Sequence, residues 1–303
     1  MRHLTTGGVQ PLHSSPLWLV VGSGPVPTPK PSASRKSRTL AQGADRYALY
    51  QGAVQAPEVD ARLFKRFYKD NFPSREPLVM REDFCAAAAM ACYWVNSPFP
   101  RVAHGVDLDS EPLEWGRLHN VSQLKPAHQK RVHLHQGDVL TLRTPPADIV
   151  NGLNFSYCVF KERSVLRDYF RNVRRNLKRE GVFVLDLFGG YEVIQNRQDP
   201  PVRHDGYWHI WDQHSYDPIS HAATYFIHFK FRDGSVMKRA FRYDWRLWTI
   251  PEVTETLKEA GFPHVDVYWE DADSRGEGSG VWRRRKRGEA EAAWTVYIVA
   301  VKR

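Results

Sequence analysis

Three acidic residues, Glu82, Asp107 and Asp138, follow three successive apolar segments whose composition is typical of β-strands. When parallel strands lie side by side, ligands bind at the edge of the sheet where the carboxyl ends of the strands meet. A carboxylate after the second strand can accept two hydrogen bonds from the vicinal hydroxyls of a ribose. The third acid is then placed to meet an adenine amino group. The spacing predicts a nucleoside-binding edge.

Each acid also has a structural interpretation. Glu82 can form an ion pair with a neighbouring arginine, and the Gly137-Asp138 pair is a common turn sequence. Asp107 and Asp109 can both cap the helix that follows them. We favour the ribose role for Asp107, because only that residue directly follows the apolar segment. For Asp109 we favour the capping role.

Polar and aromatic residues further along the chain are candidates for contact with a substrate. Asn154 and Ser156 follow the fourth strand segment, where they face a substrate or satisfy polar groups at the strand end. His214 and Tyr216 lie in an aromatic-rich stretch and are able to take a proton from an alcohol or phenol. Packing of the aromatic rings is the alternative for this stretch. No cysteine or histidine spacing predicts a metal site.

Strand and helix patterns alternate over most of the chain, which predicts an α/β fold with a doubly wound, mostly parallel, seven-stranded sheet. The predicted strands are 77–80, 102–106, 132–136, 148–153, 181–187, 264–269 and 294–301, and the predicted helices are 57–69, 85–95, 112–124, 165–177 and 251–259.

The alternation stops after the fifth strand, where 207–213, 222–231 and 236–245 are three strand-like runs in succession. Asp233-Gly234 joins the last two and predicts a hairpin with a type I′ turn. We therefore expect a small antiparallel insertion over residues 204–246. Its aromatic composition favours a lid that closes over a compact substrate.

The chain has 303 residues and a net charge of +9, with 42% hydrophobic and 25% charged residues, as in soluble globular proteins. Residues 1–44 contain five basic and no acidic residues, and the run 283–287 is entirely basic, so the remainder is close to neutral. This distribution disfavours a nucleic-acid binder. We interpret the basic run as a solvated loop and 1–44 as a disordered leader or possible targeting segment, with 45–303 as the folded domain.

Three cysteines without ligand spacing indicate reduced thiols. No apolar run is long enough to span a membrane. We expect a cytoplasmic protein, or alternatively an organelle-targeted one; the oligomeric state is left open.

From position 77 to the end, the chain resembles the class I S-adenosylmethionine-dependent methyltransferases, which have a Rossmann-like fold. The resemblance rests on the three acids in order, on Leu-Lys-Arg-Glu-Gly-Val-Phe-Val-Leu-Asp ending at Asp186, and on Leu-Lys-Glu-Ala-Gly-Phe at 257–262. The phrase Arg-Glu-Asp-Phe-Cys at 81–85 is similar to a subgroup whose first motif reads REDFCG. The resemblance implies S-adenosyl-L-methionine as cofactor, held by Glu82, Cys85, Ala86, Asp107, Leu108, Asp138, Val139 and Asn154.

The same resemblance implies N- or O-methylation of a small-molecule acceptor, with His214, Tyr216 and Asn154 as catalytic candidates. The alternatives are a degenerate, non-catalytic binding protein and an RNA methyltransferase. One departure separates these possibilities: Phe84, Ala86 and Ala88 occupy the places of the three glycines in the family's first turn. Alanine is tolerated there if φ is negative, and it obstructs the turn if φ is positive.

Overall fold

The computed structural model describes residues 38–272 and 278–303. Two sheets organise this part of the chain. The larger sheet has eight strands in the order β12-β11-β13-β5-β4-β1-β2-β3. Its strands are β1 (Val79–Asp83), β2 (Val102–Asp107), β3 (Val132–Gln136), β4 (Ala147–Gly152), β5 (Leu177–Gly189), β11 (His264–Ala272), β12 (Gly278–Arg284) and β13 (Trp294–Lys302).

Strands β1 to β5 pair in parallel, and β13 joins β5 in the antiparallel direction. The predicted doubly wound α/β sheet is therefore confirmed, with eight strands instead of seven. The additional strand is β12, which pairs with β11 and whose last two residues, Arg283 and Arg284, belong to the basic run interpreted above as a solvated loop. The first three residues of that strand are two glycines and a serine, which do not produce an apolar alternation.

Helices cover both faces of the larger sheet. One face packs against α3, α4 and α5, and the other against α7 and α8. The helices of the described residues are α1 (Leu40–Gly43), α2 (Arg46–Val54), α3 (Pro57–Asn71), α4 (Ala89–Val95), α5 (Ser110–His119), α6 (Pro126–Gln129), α7 (Arg163–Asn176) and α8 (Ile250–Glu259). Among the helices so described, none is long and apolar enough to cross a membrane.

The inserted antiparallel sheet follows β5, as predicted. It consists of β6 (Arg197–Gln198), β7 (Val202–Arg203), β8 (Tyr207–Tyr216), β9 (Ala222–Phe231) and β10 (Val236–Arg246), so it begins before position 204. The hairpin at Asp233-Gly234 is present, but the type I′ turn is not. Gly234 alone among the connecting residues has a positive φ, at 79°, whereas a type I′ turn needs two.

The inner face of the small sheet is part of the main core. Tyr225 and Trp245 are 1% and 2% exposed and belong to the buried cluster that contains Phe183 and Leu187 of β5. Ile227 and Phe229 of the same face pack against Leu49 of α2 in a second cluster. The inner face of the insertion is therefore part of the core of the domain.

The predicted leader lies outside the described residues as far as position 37. Its last residues are not a leader, because α1 is held by a capping box at Thr39 and by contacts with the small sheet. The amide of Leu40 donates to Asp233, and the amide of Ala41 donates to Ser235. The folded unit thus begins by Arg38 and not at Asp45.

Candidate functional site

The carboxyl ends of β1 and β4 lie at the point where the strand order reverses. β1 pairs with β2 on one side and with β4 on the other, and the chain leaves the two strands in opposite directions across the sheet. Such a switch point opens a crevice above the strand ends. A narrow cleft lies there, and its lining residues are Gln55, Pro57, Asp60, Glu82, Asp83, Phe84, Met90, Asn151, Leu153 and Asn154.

The loop after β1 has an alternating left-handed backbone. Phe84, Ala86 and Ala88 have φ values of 58°, 43° and 59°. These are the three places at which the resembling family carries glycine, so the turn keeps a glycine-type conformation without glycine. A left-handed conformation costs a residue with a Cβ about 1–2 kcal/mol. The surrounding contacts must hold the loop in this state.

Asp107 supplies one of those contacts. Its Oδ2 accepts a hydrogen bond of 2.7 Å from the amide of Ala86, and its Oδ1 accepts one of 3.0 Å from the amide of Asp109. A carboxylate has about four acceptor positions, so two remain for a ligand. Burial raises the pKa of Asp107 above its ordinary value. Asp109 caps α5 through the amide of Glu111, which confirms the capping role predicted for it.

Two glycines allow β2 and α5 to pack closely against the loop after β1. A Cβ at Gly116 would lie 2.4 Å from the carbonyl oxygen of Ala87, and a Cβ at Gly105 would lie 2.8 Å from Cys85 Sγ. Cys85 is itself 1% exposed. Its side chain therefore packs against β2 and is not available to a ligand, contrary to a side-chain binding role.

Glu82 points into the opposite side of the loop. Its Oε2 accepts a 3.0 Å hydrogen bond from the amide of Ala91, near the start of α4, and not from an arginine side chain. Burial raises the pKa of Glu82 to about 8. Arg81 instead pairs with Asp83 at 2.7 Å, and both side chains are fully buried. The ion-pair interpretation of Glu82 is therefore wrong.

The residues after β2 and β3 form an open shelf. Leu108 is 70% exposed, so its side chain offers apolar surface next to Asp107. Asp138 is exposed, and its Oδ1 accepts from the amide of Leu140, so it does initiate a turn. Val139 is buried, and its carbonyl oxygen accepts from Asn172. The shelf offers one apolar surface and two carboxylates, on Asp107 and Asp138.

The turn after β4 is fixed by Asp186 of β5. Asn154 and Phe155 both have positive φ, at 56° and 57°, and their amides donate to the two carboxylate oxygens of Asp186 at 2.9 Å each. Burial raises the pKa of Asp186 to about 7. The hydroxyl of Ser156 donates to the carbonyl of Leu153, so Ser156 satisfies the strand end.

Sequence reasoning missed Asp60. Its carboxylate accepts a 3.0 Å hydrogen bond from Tyr297 on β13, and burial raises its pKa to about 6. A signal existed, because Asp60 precedes Phe64 and Phe67 by four and seven residues, the spacing of one helix face. The preceding residue, Val59, is 41% exposed although its side chain is apolar.

His214 and Tyr216, the two candidates in the aromatic-rich stretch, lie on opposite faces of the small sheet. His214 is exposed, and its ring contacts Phe226 on the face of the small sheet that points away from the main core. Tyr216 lies on the inner face, partly buried against the core cluster. The structure thus brings Asn154 to the cleft, whereas neither His214 nor Tyr216 lines it.

The basic run is largely paired. Arg283 and Arg285 both bind Asp271, at 2.6 Å and 2.8 Å, and Arg284 binds Asp266 at 3.3 Å. Arg283 and Arg284 belong to β12, so the run is not simply a solvated loop. Asp266 and Asp271 offset part of the positive charge of this run.

No family model matches the chain, and no curated protein matches it. Solved structures do match. The DesVI protein of Streptomyces venezuelae has a TM-score of 0.61 at 18% identity, over 86% of this chain and 98% of that one. CalS10, an amino pentose methyltransferase from Micromonospora echinaspora solved with S-adenosylmethionine bound, has a TM-score of 0.60 at 16% identity, over 85% and 96%.

An S-adenosylmethionine-dependent methyltransferase from Clostridium acetobutylicum gives a TM-score of 0.59 at 17% identity, over 84% of this chain and 97% of that chain. Identities this low establish a shared fold. The described chain therefore has the fold of these solved methyltransferases.

Proposed function

We propose that this protein is an S-adenosylmethionine-dependent methyltransferase that methylates nitrogen or oxygen of a small-molecule acceptor. The observation that carries the proposal is the loop after β1. Phe84, Ala86 and Ala88 keep a left-handed backbone at a conformational cost, three times within five residues, at the strand end where ligands of such sheets bind. The assignment to the subgroup with an REDFCG-like turn is part of this proposal.

The shelf beside the loop fits a nucleoside. Asp107 has two free acceptor positions for ribose hydroxyls, and exposed Leu108 offers an apolar surface that an adenine ring would cover. Asp138 is exposed and close in sequence to the end of β3, where an adenine amino group would meet it. Val139 and Ala86 would contribute to cofactor binding through their backbone and through the shape of the site. The side chain of Val139 is buried, and that of Ala86 is a single methyl group.

The charge of the cleft complements the positively charged part of the same cofactor. Asp60 and Glu82 line the cleft, Asp186 holds the turn at Asn154 beside it, and burial raises the pKa of each of these carboxyls. Buried carboxyls of this kind ionise more readily when a cation arrives beside them. When bound, S-adenosylmethionine supplies an electrophilic methyl group on a sulfonium.

The residues of this chain then have three tasks. Asn154, held by Asp186, presents the turn that separates the cofactor cleft from the acceptor side. The small sheet excludes water above it. Tyr216 stays a candidate for removing a proton from an acceptor, whereas the outward position of His214 argues against it. Alignment of donor and acceptor supplies most of the rate in such a site.

Titration calorimetry with S-adenosylhomocysteine tests the proposal. The unmodified protein should bind, and Asp107→Ala should weaken binding at least tenfold, because charge-assisted hydrogen bonds contribute about 1.5–3 kcal/mol. Asp109→Asn is the matched control, since it keeps the helix cap and should leave the affinity unchanged. Absence of heat at millimolar ligand with a folded protein would remove the proposal.

A further inference from the structure

A second and larger cavity lies beyond the turn after β4, with a volume of about 470 Å³. Its walls come from the ends of β5 and β13, from β11 and from the inner face of the small sheet. Aromatic side chains dominate its apolar lining, namely Phe155, Phe188, Trp211, Trp269 and Trp294. None of these residues has a role in the cofactor cleft described above.

Two glycines shape this cavity. A Cβ at Gly189 would lie 2.2 Å from the ring of Trp294, and a Cβ at Gly190 would lie 2.3 Å from the carbonyl oxygen of Ala292. Gly190 also has a φ of 111°, which side chains rarely adopt. The strand end is therefore built so that an indole ring lies directly against it.

Carboxylates outnumber cations in the described lining. Arg197 is shared by Glu192 and Asp199, at 2.8 Å each, so one of these two negative charges is not balanced by it. Glu270 and Glu291 also line the cavity. Asp271 lines it too, but Arg283 and Arg285 neutralise that carboxylate from outside.

Gln213 adds an independent observation. It is 7% exposed, it lines the cavity, and its Oε1 has no hydrogen-bond partner among the described residues. A buried carbonyl without a donor costs about 1–3 kcal/mol. The cavity therefore presents an acceptor that requires a donor from a ligand.

We infer that this cavity binds the acceptor of the proposed methyl transfer and that the acceptor is an organic amine, which enters as an ammonium ion. An ammonium nitrogen has no lone pair, so before the transfer it would give one proton to a carboxylate of the lining such as Glu291. The neutral amine would then form the bond to the methyl group as the bond between that methyl group and the cofactor sulfur breaks, with S-adenosylhomocysteine as the leaving group.

An ammonium is attracted to the faces of Trp211 and Trp294, to the excess carboxylate and to the Gln213 carbonyl. The inference rests on the proposed function, because it places this ligand beside the cofactor cleft. The link is a single peptide: Asn154 lines the cleft, and Phe155 lines the cavity.

The test is calorimetric titration at pH 7 with three compounds of similar shape: 2-phenylethylamine, 2-phenylethanol and phenylacetate. Each titration is performed with and without saturating S-adenosylhomocysteine. The amine should bind at least tenfold more tightly than the alcohol, and phenylacetate should bind most weakly. Equal affinity for amine and alcohol, or no binding of the amine at several millimolar, would overturn the inference.

Variants locate the binding. Gln213→Leu and Trp211→Leu should each weaken amine binding at least fivefold, while Asp168→Asn, which removes an exposed carboxylate paired with Arg171 elsewhere on the surface, should not change it. A single cooperative unfolding transition and unchanged S-adenosylhomocysteine affinity show that the variants are folded. Loss of S-adenosylhomocysteine binding in the unmodified protein would count against the proposed function. Loss of amine preference alone would count only against this inference.

Discussion

Replacing Ala88 by glycine should leave the free energy of unfolding nearly unchanged, whereas the same replacement at Ala91 should lower it by about 2 kcal/mol. The pair is well matched, because both alanines are 0% exposed. They differ in backbone conformation: Ala88 has a φ of 59°, and Ala91 lies within α4.

The magnitudes follow from this difference. Loss of a buried methyl group costs about 0.8 kcal/mol at either position. Glycine costs about a further 1 kcal/mol inside a helix. At Ala88, the greater freedom of glycine in the unfolded chain costs about 0.5–1 kcal/mol, but removal of the Cβ from a left-handed residue regains about 1–2 kcal/mol. The terms at Ala88 therefore nearly cancel.

Urea denaturation followed by circular dichroism measures both variants, and an unchanged dependence on urea concentration confirms that the unfolded states are comparable. If Ala88→Gly destabilised the protein as much as Ala91→Gly, the left-handed loop would not be the state that the folded protein adopts. A gain in S-adenosylhomocysteine affinity of tenfold or more in Ala88→Gly would instead mean that the alanine methyl obstructs the cofactor.

Three further outcomes are expected. The folded-state pKa of Glu82 is raised to about 8, so the stability that its protonated form contributes is lost as the pH rises. Urea denaturation should therefore show that Glu82→Gln is more stable than the unmodified protein at pH 8 but not at pH 4. His104 has its pKa lowered to about 4 by burial and by His133 and His135, so stability should fall as pH drops from 6.5 towards 4, and His104→Gln should reduce that fall in melting temperature. Gly116→Ala should cost about 1–3 kcal/mol in urea denaturation by forcing α5 from the loop, whereas Gly43→Ala, with open space around it, should not.

The sequence was sufficient for the elements whose pattern is local. Apolar runs between turns predicted the strands of the larger sheet, and the positions of Glu82, Asp107 and Asp138 at strand ends followed directly from them. The sequence did not predict β12, because its glycine-rich start lacks alternation and its strand character depends on pairing with β11.

Features that depend on tertiary packing were not predictable. The left-handed conformation of Ala86 and Ala88 is imposed by Asp107 and by α5, and an alanine gives no local indication of positive φ. His214 and Tyr216 are two residues apart, so regular alternation would place them on the same face. The irregularity in the register between Gln213 and Ser215 moves the alternation by one residue and places Tyr216 on the inner face. A one-residue shift of this kind reverses the direction of a side chain.

The shared core of the two sheets limits how the small sheet can move. A swing of this sheet away from the strand ends would expose Tyr225 and Trp245, which are 1% and 2% exposed. Burial of a large apolar side chain contributes about 1.5–3 kcal/mol, so the two rings alone oppose the swing by about 3–6 kcal/mol. A fully open form is then populated in fewer than about one molecule in a hundred. Exchange of small molecules with solvent is expected to proceed by local fraying of the two-residue edge strand β6, with the rest of the sheet staying in place.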